Sequence, residues 1–227
     1  MERSNTQQRS MAVKTAMETC SAEGLAPEFA YILNLVEEGS TVLDLGCGSG
    51  ELLDALRRYK HVHPQGIELS EEAMQQCVAK GLFVYHGDLD EGLADFNDQS
   101  VDYVIATNTI QVLHRPAFLI REMARIGKNC IVSVPNFAHW RVRAQLFFHG
   151  KMPVSGRLPY QWYDTPNIHL TTIKDFRNLC REFEITVLRE IDLRTFDSQA
   201  AKPVRILPNL MADYAIFMIK GRVASWD

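Results

Sequence analysis

The sequence predicts an α/β fold, a mostly parallel sheet with helices on both faces. Three observations predict it. Apolar runs of strand length alternate with helical patterns from residue 42 to residue 135. A glycine-rich turn, Gly46-Cys-Gly-Ser-Gly50, joins the first apolar run to the first helical pattern. A carboxylate, Glu68, closes the second run about 20 residues beyond the glycines, where nucleotide-binding α/β folds hold a ribose.

The elements follow in order. Pro27 to Glu38 reads as a helix, with Pro27 near its first turn and Gly39 ending it. Val42, Leu43 and Leu45 form a short apolar run suited to a central strand, 42–45. Leu52, Leu53 and Leu56 then mark one face of a helix at 51–59. Further strands are read at 64–68, 82–86, 101–106 and 130–135, and further helices at 71–80 and 116–126. Pro116 opens the last of these and Gly127 closes it. After Pro135 the alternation breaks, and 136–170 is rich in aromatics, arginine, histidine and proline. A helix starts at Thr171, where Thr172 and Asp175 can form a variant capping box. Strands near 184–191 and 213–219 flank a stretch, 194–209, that reads as a loop.

Composition narrows the function. At 227 residues the chain can bury a full α/β core with an insertion. The formal charge of −4 argues against a nucleic-acid surface. No apolar run has the length of a membrane span, and no apolar leader opens the chain. Five scattered cysteines, without a Cys-x-x-Cys pair, suggest reduced thiols in a cytoplasmic protein with no disulfide framework and no metal site. Residues 1–24 are polar and are expected to be a mobile extension, with 25–227 one domain carrying the aromatic insertion.

The glycine turn selects a ligand. Gly46, Gly48 and Gly50 permit backbone angles and a close approach that side chains would block. Their spacing is Gly-x-Gly-x-Gly, whereas a dinucleotide fold prefers Gly-x-Gly-x-x-Gly, which disfavours a nicotinamide oxidoreductase. Asp44 sits just inside the preceding strand end. Together these point to a ligand with an amino-acid end, S-adenosylmethionine (SAM) or its product S-adenosylhomocysteine (SAH). Glu68 suits both ribose hydroxyls, or else is an acid beside the helix start at Ser70. Cys47 lies beside the ligand as a small turn residue.

The order of motifs resembles a class I SAM-dependent methyltransferase, and more closely the MetW family of methionine biosynthesis. The residues that carry the resemblance are Val42 to Leu53, Gly66-Ile-Glu68, and Gly87-Asp-Leu-Asp-Glu-Gly-Leu93. More selective are Ser133 to Arg141, Leu158 to His169, and Arg205-Ile-Leu-Pro-Asn-Leu210. The sequence departs from that pattern in its long N-terminus and in Ala106-Thr-Asn-Thr-Ile-Gln111, where relatives often read Ser-Gln-Thr-Leu-Gln. The resemblance implies a Rossmann-like sheet of seven strands and a role beside homoserine O-acyltransferase, with no methyl transfer of its own assured.

It also implies site residues. Asp88 would read the adenine amino group, with the Leu89 backbone N–H beside the ring; the alternative is that Asp88 or Asp90 caps a short acidic turn. Leu69 and Leu89 would wall the base. Thr107 and Asn108 follow the fourth strand, where their carbonyls can receive the ligand ammonium, with help from Asp44. His114, His139 and His169 are the possible general bases, none with a partner fixed by short spacing, so no catalytic residue is assigned. The aromatics and arginines of 136–170 suit a partner surface, a lid, a small core of their own or, against the overall acidity, a nucleic-acid face.

Overall fold

The computed structural model describes residues 24–154, 160–166, 168–196 and 200–221. The expected mobile extension therefore lies almost wholly outside the described residues. In chain order the elements are α1 (Pro27–Leu35), β1 (Thr41–Leu45), α2 (Glu51–Lys60), β2 (His63–Glu68), α3 (Glu71–Ala79) and β3 (Phe83–His86). Then come β4 (Val101–Ala106), a 3₁₀ turn (Ile110–Val112), α4 (Pro116–Ile126), β5 (Gly127–Pro135) and α5 (Trp140–His149). The chain continues through α6 (Ile173–Glu182), β6 (Thr186–Phe196), β7 (Ala200–Pro203), α7 (Pro208–Met211) and β8 (Tyr214–Lys220).

One sheet orders the strands β3-β2-β1-β4-β5-β8-β6-β7. The first five pair in parallel, and β8 runs antiparallel to both β5 and β6. Strand alternation explains the two cores. Leu43, Val104 and Val132 point to one face, against Leu119, Met123 and Phe176 of α4 and α6. Their neighbours Val42, Tyr103, Ile105 and Ile131 point to the other, against Tyr31, Ile32, Leu53 and Leu56 of α1 and α2. The connection reverses between β1 and β4, so a crevice opens at the carboxyl ends of those strands.

Among the described residues the sheet has eight strands, not seven. The addition is β7, which pairs antiparallel with β6 inside the stretch expected to be a loop. Ala-Ala-Lys-Pro carries no β-branched or aromatic signal, and proline is tolerated at an edge. A long-range contact supplies what propensity lacks: the Tyr31 hydroxyl of α1 donates to the Ala201 carbonyl at 2.9 Å. The second unexpected element is α5. None of its residues is buried, so it presents no apolar stripe. Its ends are specified instead by the His139 side chain, which accepts from the Arg141 N–H, and by Gly150 at φ 61°. The Thr172–Asp175 capping box forms with both reciprocal bonds.

Candidate functional site

The glycine turn is built from left-handed backbone at all three glycines, φ 71° at Gly46, 54° at Gly48 and 76° at Gly50. Gly46 and Cys47 donate their N–H groups to the Ile67 carbonyl at 2.8 and 3.1 Å, which pins the turn to β2. The Cys77 thiol of α3 donates to the Gly48 carbonyl at 3.1 Å, and Lys80 Nζ donates to that of Ser49 at 2.7 Å. Cys77 is thus a second thiol at the turn, beside the expected Cys47. Burial, and then the neighbouring Asp44, push the Cys47 thiol far up, so it stays protonated and is no nucleophile.

Around this turn, Gly50 and Gly66 leave no room for a methyl group. A Cβ at Gly50 would lie 2.6 Å from Leu82 Cδ1 and 2.8 Å from Cys77 Sγ. Gly50→Ala is therefore expected to destabilise the chain by about 2–4 kcal/mol, overpacking plus the left-handed penalty. Urea unfolding checks this. A Cβ at Gly66 would meet Cys47 Sγ at 2.6 Å, so β2 is glycine where it passes the turn.

Glu68 closes the turn from the other side. Its Oε2 accepts the Gly48 N–H at 2.7 Å, and its Oε1 accepts those of Leu69 and Ser70 at 3.0 and 2.9 Å. The carboxylate plane is fixed by these three backbone donors. Leu69 beside it is an apolar side chain that is 61% exposed.

Asp44 is buried at the end of β1, and its Oδ1 has no hydrogen-bond partner among the described residues. Burial first, and the Glu68 charge second, push its carboxyl pKa up to about 7. A buried acceptor left unpaired beside a glycine turn is suited to a cationic ligand group.

The third wall comes from β3 and β4. Asp88 Oδ1 accepts the Asp90 N–H at 2.9 Å, the short turn that sequence left as an alternative. Leu89 is buried below it. Asp90 accepts the N–H groups of His114 and Arg115, so it is the acid that caps the chain entering α4. Asn108 is exposed and left-handed at φ 54°, a conformation asparagine tolerates at low cost. Its N–H donates to Ser133 Oγ, and its carbonyl already accepts from Gln111 Nε2 at 2.9 Å. The Thr107 carbonyl accepts from Thr109 Oγ1 at 3.1 Å.

Thr109 and Gln111 were not singled out from sequence. The Thr109 hydroxyl also donates to the Leu45 carbonyl, tying β1 to the turn after β4, and it fills the space beside Gly46. Gln111 is buried, and its backbone carbonyl accepts from both Ile168 and His169. The aromatic segment is thereby hung on the crevice. The signal for both was their place immediately after Asn108, in the string that departs from the usual pattern.

The three histidines separate. His139 caps α5 through Nδ1, and its Nε2 lies 3.5 Å from Asp213 Oδ1. Burial, only partly offset by Asp213, holds it below the usual range. His114 lies on the exposed chain before α4. His169 joins the crevice segment, with a buried Nε2 that has no partner among the described residues.

Among the described residues, no helix is long and apolar enough to cross a membrane. The fold is that of the SAM-dependent methyltransferases. A SAM-dependent methyltransferase from Thermotoga maritima superposes with a TM-score of 0.64 at 17% identity, covering 85% of this chain and 87% of that one. One from Mesorhizobium loti gives 0.63 at 16%, covering 86% and 97%. The bifunctional methionine biosynthesis protein MetXA/MetW of Rhodopirellula baltica is 36% identical over 194 residues, 82% of this chain. The chain spans only 31% of that relative's length. Residues 26–219 match the methionine biosynthesis protein MetW family, and to that family this chain belongs.

Proposed function

We propose that the chain binds SAM or SAH in the crevice and acts in methionine biosynthesis as an accessory or regulatory subunit of a homoserine O-acyltransferase. Glu68 takes the ribose hydroxyls, Asp88 and the Leu89 N–H read the adenine edge, and Leu69 covers the ring. Asp44, with the carbonyls of Thr107 and Asn108, holds the ligand ammonium. The tight turn Gly46-Cys47-Gly48 and Gly50 let the backbone approach.

The partner role rests chiefly on the aromatic face beside the crevice. Phe147, Phe148, Trp162 and Tyr163 are each 70% exposed or more. Exposed aromatics in that number mark interaction surfaces. They stack edge to face as Phe147–Phe148 and Trp162–Tyr163, with centroids 5.0 and 5.6 Å apart. The name of the Rhodopirellula relative joins MetXA to MetW in one polypeptide, which supports an acyltransferase as the partner. Phe147→Ser and Trp162→Ala are each expected to weaken the acyltransferase complex by about 1–3 kcal/mol. Both should leave SAH affinity of the free chain unchanged. Paired calorimetric titrations check this.

A second reading, a free-standing small-molecule methyltransferase, is favoured by His169, whose Nε2 is buried in the segment hung from Gln111 and has no partner among the described residues. A screen with methyl-labelled SAM separates the two. Turnover of a metabolite at about 1 per second, an ordinary enzyme rate, that His169→Asn abolishes would favour the enzyme.

A further inference from the structure

A parallel sheet needs cover on both faces. Here one crossover supplies none. α2, α3 and α4 cover the β1–β2, β2–β3 and β4–β5 connections, but residues 87–100 between β3 and β4 contain only turns. Leu89 and Leu93 of this loop share a core with Ile67 near the upper end of β2, and the rest of the β2 and β3 face on that side is bare. Gln65 and His63 are exposed there, and so are Phe83 at 59% and Tyr85 at 42%. Phe83 meets Tyr85 edge on at 4.9 Å, and Tyr85 meets Phe96 of the crossing loop at 5.7 Å. Between the loop and the strands runs an open groove of about 420 Å³, floored by Ile67 and Tyr85. It lies beneath the crevice rather than over the glycine turn. β3 is also the outermost strand, with no neighbour beyond it among the described residues.

The carboxylates that line this groove are Asp88 and Asp95. Residues 87–98 hold five acids and no lysine or arginine. Asp90 caps the start of α4 and Asp98 pairs with Arg125. Asp95 and Glu91 are exposed without an ion-pair partner among the described residues. A second copy of the chain would bring acid against acid across this rim. Residues 1–23 carry three acids and three bases and offer no complementary charge. An apolar strip bordered by lysine or arginine satisfies both the aromatic floor and the acidic rim. The place is one where α/β folds seat a helix.

We propose that the bare face of β2 and β3 is the docking site for a basic amphipathic helix of a protein partner, seated where the β3–β4 crossover provides no helix of its own. This surface is separate from the aromatic face of α5 and stands whether or not the acyltransferase reading holds. It has a consequence for the crevice. His86, Gly87 and Asp88 line the upper end of the groove, and the His86 ring bonds to the Leu69 carbonyl at 2.9 Å. A helix seated below therefore bears on the backbone next to Leu69 and Asp88.

The test is an NMR titration of the isotopically labelled full-length chain with an 18-residue Leu/Lys amphipathic helical peptide. A Leu/Glu peptide of the same pattern is the control. The expected result is shift changes centred on residues 63–67 and 83–97, with the Leu/Lys peptide bound at least tenfold more tightly than the control. Phe83→Glu combined with Tyr85→Glu should lower that affinity at least tenfold. Asp95→Lys, on the exposed loop, should lower it severalfold and serves if the double variant does not fold. Four results would overturn the proposal: shifts confined to 140–163; equal affinity for the two peptides; a dimer in sedimentation that Phe83→Glu dissociates; or cross-relaxation that seats residues 1–23 on Tyr85.

Discussion

Asp44→Asn should make the ligand-free chain more stable at neutral pH while weakening its hold on SAH. In the unfolded chain the carboxyl ionises at about 3.9, and in the fold it is held protonated to about 7. Between those values the native state keeps a proton that the unfolded state has lost, so stability falls as pH rises through this window. Above pH 7 the full penalty is present, on the order of 4 kcal/mol for a shift of about three units. Asparagine removes it, and a gain of about 2 kcal/mol or more is expected at pH 8 after the cost of burying the amide. At pH 4 the gain should vanish, because the carboxyl is protonated in the native state and half so in the unfolded one. Thermal unfolding of both forms across pH 4–8 checks this.

The same group gives binding a pH dependence. A ligand ammonium beside Asp44 favours the carboxylate, so binding expels the proton. SAH affinity should rise with pH up to about 7, by at most tenfold per pH unit, and level off above it. The Asp44→Asn variant should lack this rise. Calorimetry in buffers of different ionisation heat measures the proton released.

Glu68→Ala is the second large effect. It removes the proposed ribose acceptor and also releases the N–H groups of Gly48, Leu69 and Ser70. Losing charged hydrogen bonds of this kind costs about 1.5–3 kcal/mol of SAH binding, roughly 10- to 150-fold. Glu68→Gln separates the two roles. Its amide oxygen can still accept from Gly48, whereas its nitrogen cannot accept from a ribose hydroxyl. An intermediate loss is expected, and unchanged calorimetric affinity in both variants would remove Glu68 from the ribose.

Much of this architecture was legible because local signals and packing agree. Pro116 and Gly127 bracket α4 as read, and β4 covers 101–106 as read, since the helix ends are backbone constraints and the strand is an apolar run broken only by Asp102. β7 was not legible, because Tyr31, 170 residues away, supplies the bond that holds it. α5 was not legible, because a helix with no buried face leaves no periodicity. At the crevice, the glycines and acids could be read from spacing. Thr109, Gln111 and Cys77 could not, because each acts on a neighbour that only the folded chain brings near. The bare face beside β3 was hidden for a related reason: turn-rich residues at 87–100 do not announce that a crossover lacks its helix.

The reading of this chain as a nucleoside-sensing subunit is tested most directly by acyltransferase binding measured with and without SAM, and SAM binding measured with and without acyltransferase. Linkage requires the two factors to be equal, and a coupling of about 1–3 kcal/mol, roughly 5- to 150-fold, is predicted. Tight complex formation with no mutual effect would remove the sensing role, and no complex with the acyltransferase of the same source would contradict the reading as a whole.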